Sequence, residues 1–229
     1  MRVRRAEGAL GLRERSPIDL SLLFDLRLRT ERLELRLPTE DELVEFAHVA
    51  EHGVHPPEFM PFQVAWTDAI GTPEFVAGFT DYHRKAREDW SPAFWNLLLG
   101  VWAGPEPIGI QGSDARDFIT RRTAETGSWL GQRFQGQGYG TEMRTAILEL
   151  LFRGFGADVA TSGALAGNVA SARVSEKLGY EGAGERFVEP RGEPVREQRL
   201  KLTRERWESL DRVPVEIVGL EPCLPLFGL

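Results

Sequence analysis

The chain predicts a mixed α/β fold, a sheet with helices on its faces that is antiparallel toward both ends of the sequence. Three observations carry that prediction. Segments with apolar residues at every second position stand near the beginning and the end, the period of half-buried strands. Two segments with helical spacing, Thr141 to Phe152 and Asn168 to Leu178, alternate with short apolar runs in the middle. A stretch with alternate glycines, Gln135-Gly136-Gln137-Gly138-Tyr139-Gly140-Thr141-Glu142, joins a strand-like run to the first of these helices. With 229 residues, 41% of them apolar and 28% charged, the chain suits one soluble domain with a full core.

In chain order, residues 1–19 are rich in Arg and Glu without a period and read as a flexible tail. Phe24 to Leu37 alternates Leu26, Leu28, Leu33, Leu35 and Leu37 with charged residues and reads as one half-buried strand. Thr39 and Glu42 form a capping-box pattern, so a helix starts there with Leu43, Val44, Phe46 and Ala47 on its apolar side. Residues 53–67 contain three prolines and many large apolar groups, a loop that must lie against something: an acceptor pocket or the core. A second helix is expected over 73–88. Strands are expected over 94–101, 107–111 and 121–130, with a turn at Gly104-Pro105. Helix Thr141 to Phe152 carries Met143, Ala146, Ile147, Leu150 and Leu151 on one stripe. Val159 to Thr161 reads as a short buried strand, and the helix from Asn168 ends at Gly179. Residues 180–187 and 194–202 read as an antiparallel pair, 203–210 as a short helix and 213–229 as an apolar tail. That tail, if exposed, would invite aggregation, so it docks on its own domain or on a partner subunit.

The glycine stretch is an anion cradle. Alternate glycines before a helix let the backbone curl around a phosphate, and the unpaired N–H groups of the first turn point at it. A Walker loop is excluded because no Gly-Lys-Ser/Thr ending follows. A dinucleotide fold fits poorly, since the glycine spacing differs and Asp158 stands at the start of its strand, not the end. A structural Gly-rich hairpin is the remaining alternative from the glycines alone.

Two motifs together narrow this choice. Gln135-x-x-Gly138-x-Gly140 resembles the acyl-CoA signature of the GNAT N-acetyltransferase superfamily, and Arg133-x-x-Gly136-x-Gly138 fits its looser form two residues earlier. Asn168-Val-Ala-Ser171-Ala-Arg173-Val174-Ser-Glu-Lys177-Leu-Gly179-Tyr180 resembles a second signature of the ribosomal-protein (Rim-type) branch. Glu31 to Arg36 and Leu202 to Trp207 are similar to the branch's opening strand and closing helix, so the resemblance spans about Leu23 to Leu210. Gly53-Val-His55, Met60-Pro61-Phe62 and Trp66-Thr67 resemble an actinobacterial subgroup in which some members transfer succinyl groups.

The resemblance implies a GNAT fold over 20–212, a mostly antiparallel twisted sheet whose central strand pair splays apart at a bulge. It implies direct acyl transfer in a ternary complex from acetyl-CoA, or succinyl-CoA, to a primary amine of a protein or small molecule. Trp129 and Leu130 would border pantetheine, with N–H groups near Leu130 polarising the thioester carbonyl. The N–H groups of Gln135, Gly136, Gln137, Gly138, Tyr139, Gly140 and Thr141 would take the pyrophosphate. Glu125, two residues before Gly127, is the expected general base, with Asp114 and Asp117 behind it; the bland alternative is a salt-bridged strand glutamate. Asn168 is expected at pantetheine or a water, or as a plain N-cap. Ser175 stands where many relatives carry a tyrosine acid. Arg173 and Lys177 meet phosphate or form a solvated face. His55, Phe62, Trp66, Trp90 and Trp95 are expected around the acceptor, with core packing as the alternative for Phe62 and the tryptophans. Arg84, Arg121 and Arg122 are conceivable partners for a succinyl carboxylate. A non-catalytic acyl-CoA sensor would use the same fold.

Composition sets the outer limits. A net charge of −7 argues against nucleic-acid binding and suits a basic acceptor. The basic run Arg2, Arg4, Arg5, Arg13 and Arg15 is expected to be a solvated tail. Cys223 is the only cysteine, so no intrachain disulfide and no cysteine metal cluster can form. His52 and His55 lack a third ligand, so no metal is expected. No apolar run could span a membrane and no secretory leader is recognisable, which leads to a cytoplasmic expectation. A homodimer is carried over from the family alone.

Overall fold

A computed structural model of the chain describes residues 18–229; the basic run and most of the expected tail fall outside them. Phe24 to Leu37 is a hairpin, not one strand. Strand β1 (Arg27–Arg29) turns at Thr30 to Arg32 and returns as β2 (Leu33–Arg36). Both halves alternate, so sequence period alone could not reveal the reversal.

Helix α1 (Glu40–Glu51) begins as its capping box dictates. The Thr39 hydroxyl accepts from the Glu42 amide at 3.3 Å, and the Glu42 carboxylate accepts from the Thr39 amide at 2.8 Å. After the proline-containing loop and a 3-10 turn (Trp66–Ala69) comes helix α2 (Phe75–Glu88). Strands β3 (Phe94–Ala103) and β4 (Glu106–Arg116) form the longest hairpin. A one-turn helix α3 (Phe118–Arg121), unmarked in the sequence by any period, leads into β5 (Thr123–Leu130). Helix α4 (Tyr139–Glu149) runs on into a π turn (Leu150–Gly154). Then follow β6 (Val159–Leu165), α5 (Val169–Lys177), β7 (Glu181–Val188), β8 (Val195–Thr203) and α6 (Arg204–Glu208).

With a last strand β9 (Glu216–Val218), nine strands among the described residues form one sheet in the order β7-β8-β6-β5-β4-β3-β2-β1-β9, antiparallel except for β5 and β6. Alternation along β3 divides the interior. Leu97 and Leu99 face a large core under α4, while Leu98 and Trp102 face a smaller one under α1 and α2. The apolar C-terminal segment docks on its own domain. Strand β9 (Glu216–Val218) pairs with β1, and a 3-10 segment (Glu221–Phe227) buries Cys223 and Phe227 completely. Phe227 meets Phe155 at 4.2 Å and Trp95 at 5.2 Å, and the Trp90 indole donates to the Leu226 carbonyl at 2.9 Å. Trp90 and Trp95 therefore belong to the core.

The central strands splay as expected, but without a bulge in β5. Its ladder with β4 is regular from Asp114–Glu125 to Gly109–Leu130, whereas its ladder with β6 ends at Glu125–Thr161. Hydroxyls take over where the backbones part: Thr126 Oγ1 donates to the Thr161 carbonyl and Ser162 Oγ to the Thr126 carbonyl, each at 3.1 Å. Beyond Thr126 the β6-facing edge of β5 is left without a strand partner.

Candidate active site

The split opens a cavity of about 840 Å3 that runs from the glycine stretch, past β5 and β6, to the loop of residues 53–67. At one end Gly136, Gly138, Gly140 and Thr141 line the wall. Gly136 and Gly138 have φ of 75° and 87°, a backbone that side chains disfavour, which is why glycine stands at both. The amides of Gly136 to Gly140 have no partner among the described residues. Those of Gln135 and Thr141 are already bonded to the carbonyls of Gln132 and Gly138, each at 3.1 Å. The free donor row is thus two residues shorter than the sequence suggested.

The side chains in this stretch hold the loop. Gln135 donates to the carbonyls of Val54 and Leu130 at 2.8 and 2.9 Å, tying the loop of residues 53–67 to the end of β5. Gln137 turns back to the Arg133 carbonyl at 2.7 Å, and Tyr139 lies under Arg32 at 4.6 Å. Arg32 and Thr30, from the β1–β2 turn, grip the buried Glu142 carboxylate, and Arg32 also donates to the Gln137 carbonyl at 3.2 Å. That clamp holds the Gln137 carbonyl, while Gly136, Gly138 and Gly140 around it line the cavity. No local pattern marked Arg32 for this task.

Helix α5 forms the facing wall. Asn168 Oδ1 caps the helix by accepting from the Ser171 amide at 3.1 Å, and the residue also lines the cavity, so both of its expected roles coexist. Arg173 and Lys177 line the mouth with exposed side chains. Ser175 does not reach the cavity: it is 1% exposed, and its hydroxyl is buried without a partner among the described residues. One turn along from Ser171, it falls on the core side of the helix.

At the other end, Trp129, Leu130, His55 and Phe62 line the cavity, whereas Trp66 does not. Trp66 packs among Phe62, Phe79 and Trp129 at 5.3 to 6.0 Å, so it belongs to the small core beneath this end of the cavity. His55 Nδ1 faces the Pro56 carbonyl at 2.9 Å and must donate, so in the neutral ring Nε2 accepts from the Thr67 hydroxyl at 2.6 Å. Both nitrogens organise the loop. Two further contacts pin it across the cavity. Gln63 donates to buried Glu197 at 2.6 Å, and Arg191, from the β7–β8 turn, holds both oxygens of Asp68.

Two carboxylates meet here. Glu125 is register partner of Asp114 across the β4–β5 ladder, and both line the cavity. Arg199 of β8 holds Glu125 with two parallel bonds of 2.8 Å, which keeps its carboxyl below the usual range. The Asp114 carboxylate has no hydrogen bond or ion pair among the described residues. Burial, and then the charge of Glu125, pushes it up to about 6. Asp117 starts α3 outside the cavity wall. Arg84 pairs with Glu40 and Asp81 on the outside, and neither Arg121 nor Arg122 lines the cavity. Arg144 does, from the second turn of α4.

A mostly antiparallel sheet that splits beside the N-terminus of α4, where the amides of Tyr139 and Gly140 are free, defines the class of α/β fold to which the chain belongs. The chain belongs to the acetyltransferase (GNAT) domain family, whose model matches residues 32–181. It is therefore an acyltransferase enzyme by family. Solved structures share the fold. RimJ of Mycobacterium smegmatis in complex with CoA-disulfide is 15% identical over 89% of this chain and 95% of that one, with a TM-score of 0.64. RimL, a ribosomal L7/L12 α-N-protein acetyltransferase in complex with coenzyme A, is 14% identical over 77% and 97%, with a TM-score of 0.61. A chimera of the spermidine N-acetyltransferase SpeG from Vibrio cholerae and hSSAT is 16% identical over 79% and 100%, with a TM-score of 0.58. No helix among the described residues is long and apolar enough to cross a membrane, and no cluster of three or more His, Cys, Asp or Glu there could hold a metal.

Proposed function

We propose that this enzyme transfers an acyl group from acyl-CoA to a cationic primary amine by direct attack in a ternary complex. Acetyl-CoA is the simplest donor and succinyl-CoA the alternative. The observation that carries the reading is the row of free amides from Gly136 to Gly140 opening on the same cavity as the Asp114–Glu125 pair. The amides take the pyrophosphate. The unpaired edge of β5 takes pantetheine in place of the missing β6 rungs, and Arg173 and Lys177 lie at the phosphate end.

The acceptor enters from the loop side, where Asp114, Glu125 and Glu197 line the wall and favour a cation. Glu125, kept ionised by Arg199, holds the ammonium electrostatically. Asp114, uncommitted and titrating near 6, takes the proton directly or through water. The freed amine forms a bond to the thioester carbon, the C–S bond breaks, and the thiolate leaves with the electron pair; the nitrogen then sheds its second proton, which the thiolate takes up directly or through water. The base assignment thus moves one strand over from Glu125. An amine of a protein or of a polyamine fits this wall, as the substrates named for RimL and the spermidine enzyme suggest.

The test is release of free thiol when purified protein meets acetyl-CoA or succinyl-CoA with a panel of amines. Thiol release that depends on the amine is expected. CoA binding without turnover for any acceptor would replace this reading with that of a sensor.

A further inference from the structure

Arg144 is a buried cation whose charge nothing in its surroundings balances. It is 4% exposed yet lines the cavity. Its guanidinium donates to Ser162 Oγ at 3.2 Å and Ser128 Oγ at 3.1 Å, and Nε is buried with no partner. Among the described residues no carboxylate pairs with it. The acids of its own helix are committed elsewhere, Glu142 to Arg32 and Glu149 to Arg153 and Arg212. Across the cavity Glu125 is held by Arg199, and Glu197 by Arg186. Burying an uncompensated guanidinium is costly, and the usual resolution is a bound anion.

The hydroxyls complete the donor set. Ser162 gives its proton to the Thr126 carbonyl and so accepts from Arg144. Ser128 also accepts from Arg144 and keeps its own proton free to donate. Guanidinium and hydroxyl therefore converge between β5 and β6, where the strands part.

We infer that Arg144 and Ser128 bind a carboxylate at the far end of the donor's acyl chain, so the preferred donor is the CoA thioester of a short dicarboxylic acid. The inference rests on the acyl-CoA reading above. The anion is not the pyrophosphate, because Arg144 stands four residues, about 6 Å, down the helix from the last free amide. Nor does the anion arrive with the acceptor, whose side of the cavity carries Asp114, Glu125 and Glu197 and repels it. A thioester carbonyl could take one hydrogen bond there, but it would leave the charge unbalanced.

Calorimetric titration of the full chain with CoA, acetyl-CoA and succinyl-CoA tests this, with malonyl- and glutaryl-CoA setting the preferred length. Succinyl-CoA should bind at least about tenfold tighter than acetyl-CoA, as expected for a charge-assisted contact. In Arg144→Met that ratio should fall to about one, and Arg144→Lys should recover part of it. Ser128→Ala should lower the ratio severalfold and serves if Arg144→Met fails to melt cooperatively. A wild-type ratio near one with intact CoA binding overturns the inference and leaves the acyl-CoA reading standing. An Arg144→Met protein that folds and keeps the ratio also overturns it, as does an equal loss for both donors, which would make Arg144 an oxyanion or structural group. Absence of CoA binding overturns both readings.

Discussion

The two ends of the cavity are built by different means. The donor end is backbone: a few consecutive amides, two left-handed glycines and a helix N-terminus, all within residues 135–141. The acceptor end is side chains drawn from distant segments, with Asp114, Glu125, Gln63, Arg191, Glu197 and Arg199 reaching it from two strands, a loop, a turn and a third strand. A ligand part shared by every donor, the diphosphate, can be met by a fixed backbone motif. The part that varies, the amine, is met by groups that change singly without disturbing the fold.

The largest effect expected from this division is at Asp114. Asp114→Asn should lower kcat/KM by about 10²- to 10⁴-fold while leaving the dissociation constant of CoA unchanged. The base must be ionised, so wild-type kcat/KM should fall as pH drops below about 6, and that limb should vanish in the variant. The same residue gives a stability signature. Its carboxyl is raised by burial, so the ionised form costs stability at neutral pH, and the cost is relieved as pH falls through 6 toward the unfolded value. Asp114→Asn should therefore melt a few degrees higher than wild type at pH 7. A larger rate loss and the lost limb in Glu125→Gln instead would return the base to Glu125.

At the donor end Gly138→Val should weaken CoA binding about ten- to a hundredfold. A β-branched residue is strained at φ of 87°, and its Cβ would press on Arg32 at 3.3 Å. An unchanged CoA affinity would mean that the phosphate is not held by this backbone. The acceptor KM is the control: a shift there as large as that in CoA affinity would show that the two ends are not separable.

The contrast also explains what could be read in advance. The glycine turns before α4, the Asn168 cap and the Thr39 capping box are local, so the adjacent residues revealed them. Glu125 was legible as a site residue, but its tether was not, because Arg199 is 74 residues away and no period marks it. The raised carboxyl of Asp114 was not legible for the same reason: burial and a cross-strand neighbour raise it, and neither is written in the adjacent residues. Trp66 and Ser175 failed in the opposite sense, since a loop tryptophan and a helix serine look available until packing turns them to the core. Arg144 left no trace, because the same helix buries Glu142, Thr145 and Glu149 as well, and no local pattern sets the one unpaired charge apart from them.

A smaller effect is expected at the strap over the acceptor mouth. Arg191 joins the β7–β8 turn to Asp68 and also donates to the Pro57 carbonyl at 3.2 Å. Both side chains are well exposed, so the pair contributes little to stability. Arg191→Ala should raise the acceptor KM about two- to fivefold and leave CoA affinity alone. Equal changes in both constants would place the strap over the whole cavity instead of its acceptor mouth.

The smallest effect links α1, which leads into the acceptor loop, to pH. Glu42 caps that helix and is held by Arg36, whose two guanidinium nitrogens reach its two oxygens; the Arg36 bond, opposed by burial and aided by the Thr39 amide, lowers its carboxyl to about 2. A depressed carboxylate stabilises the fold fully above its unfolded value near 4.5, and the contribution fades as pH falls toward 2. The pair is partly open to water, so the gain is discounted to about 1 kcal/mol. Glu42→Gln should accordingly melt about 2–4 °C below wild type at pH 7, and the gap should close between pH 4.5 and 2. If the gap persists at pH 2, the glutamate acts through packing and not through its charge. If the acceptor KM moves with the gap while CoA affinity does not, the foundation of the acceptor loop is this helix cap, and local sequence reaches further into the acceptor end than its scattered side chains suggest.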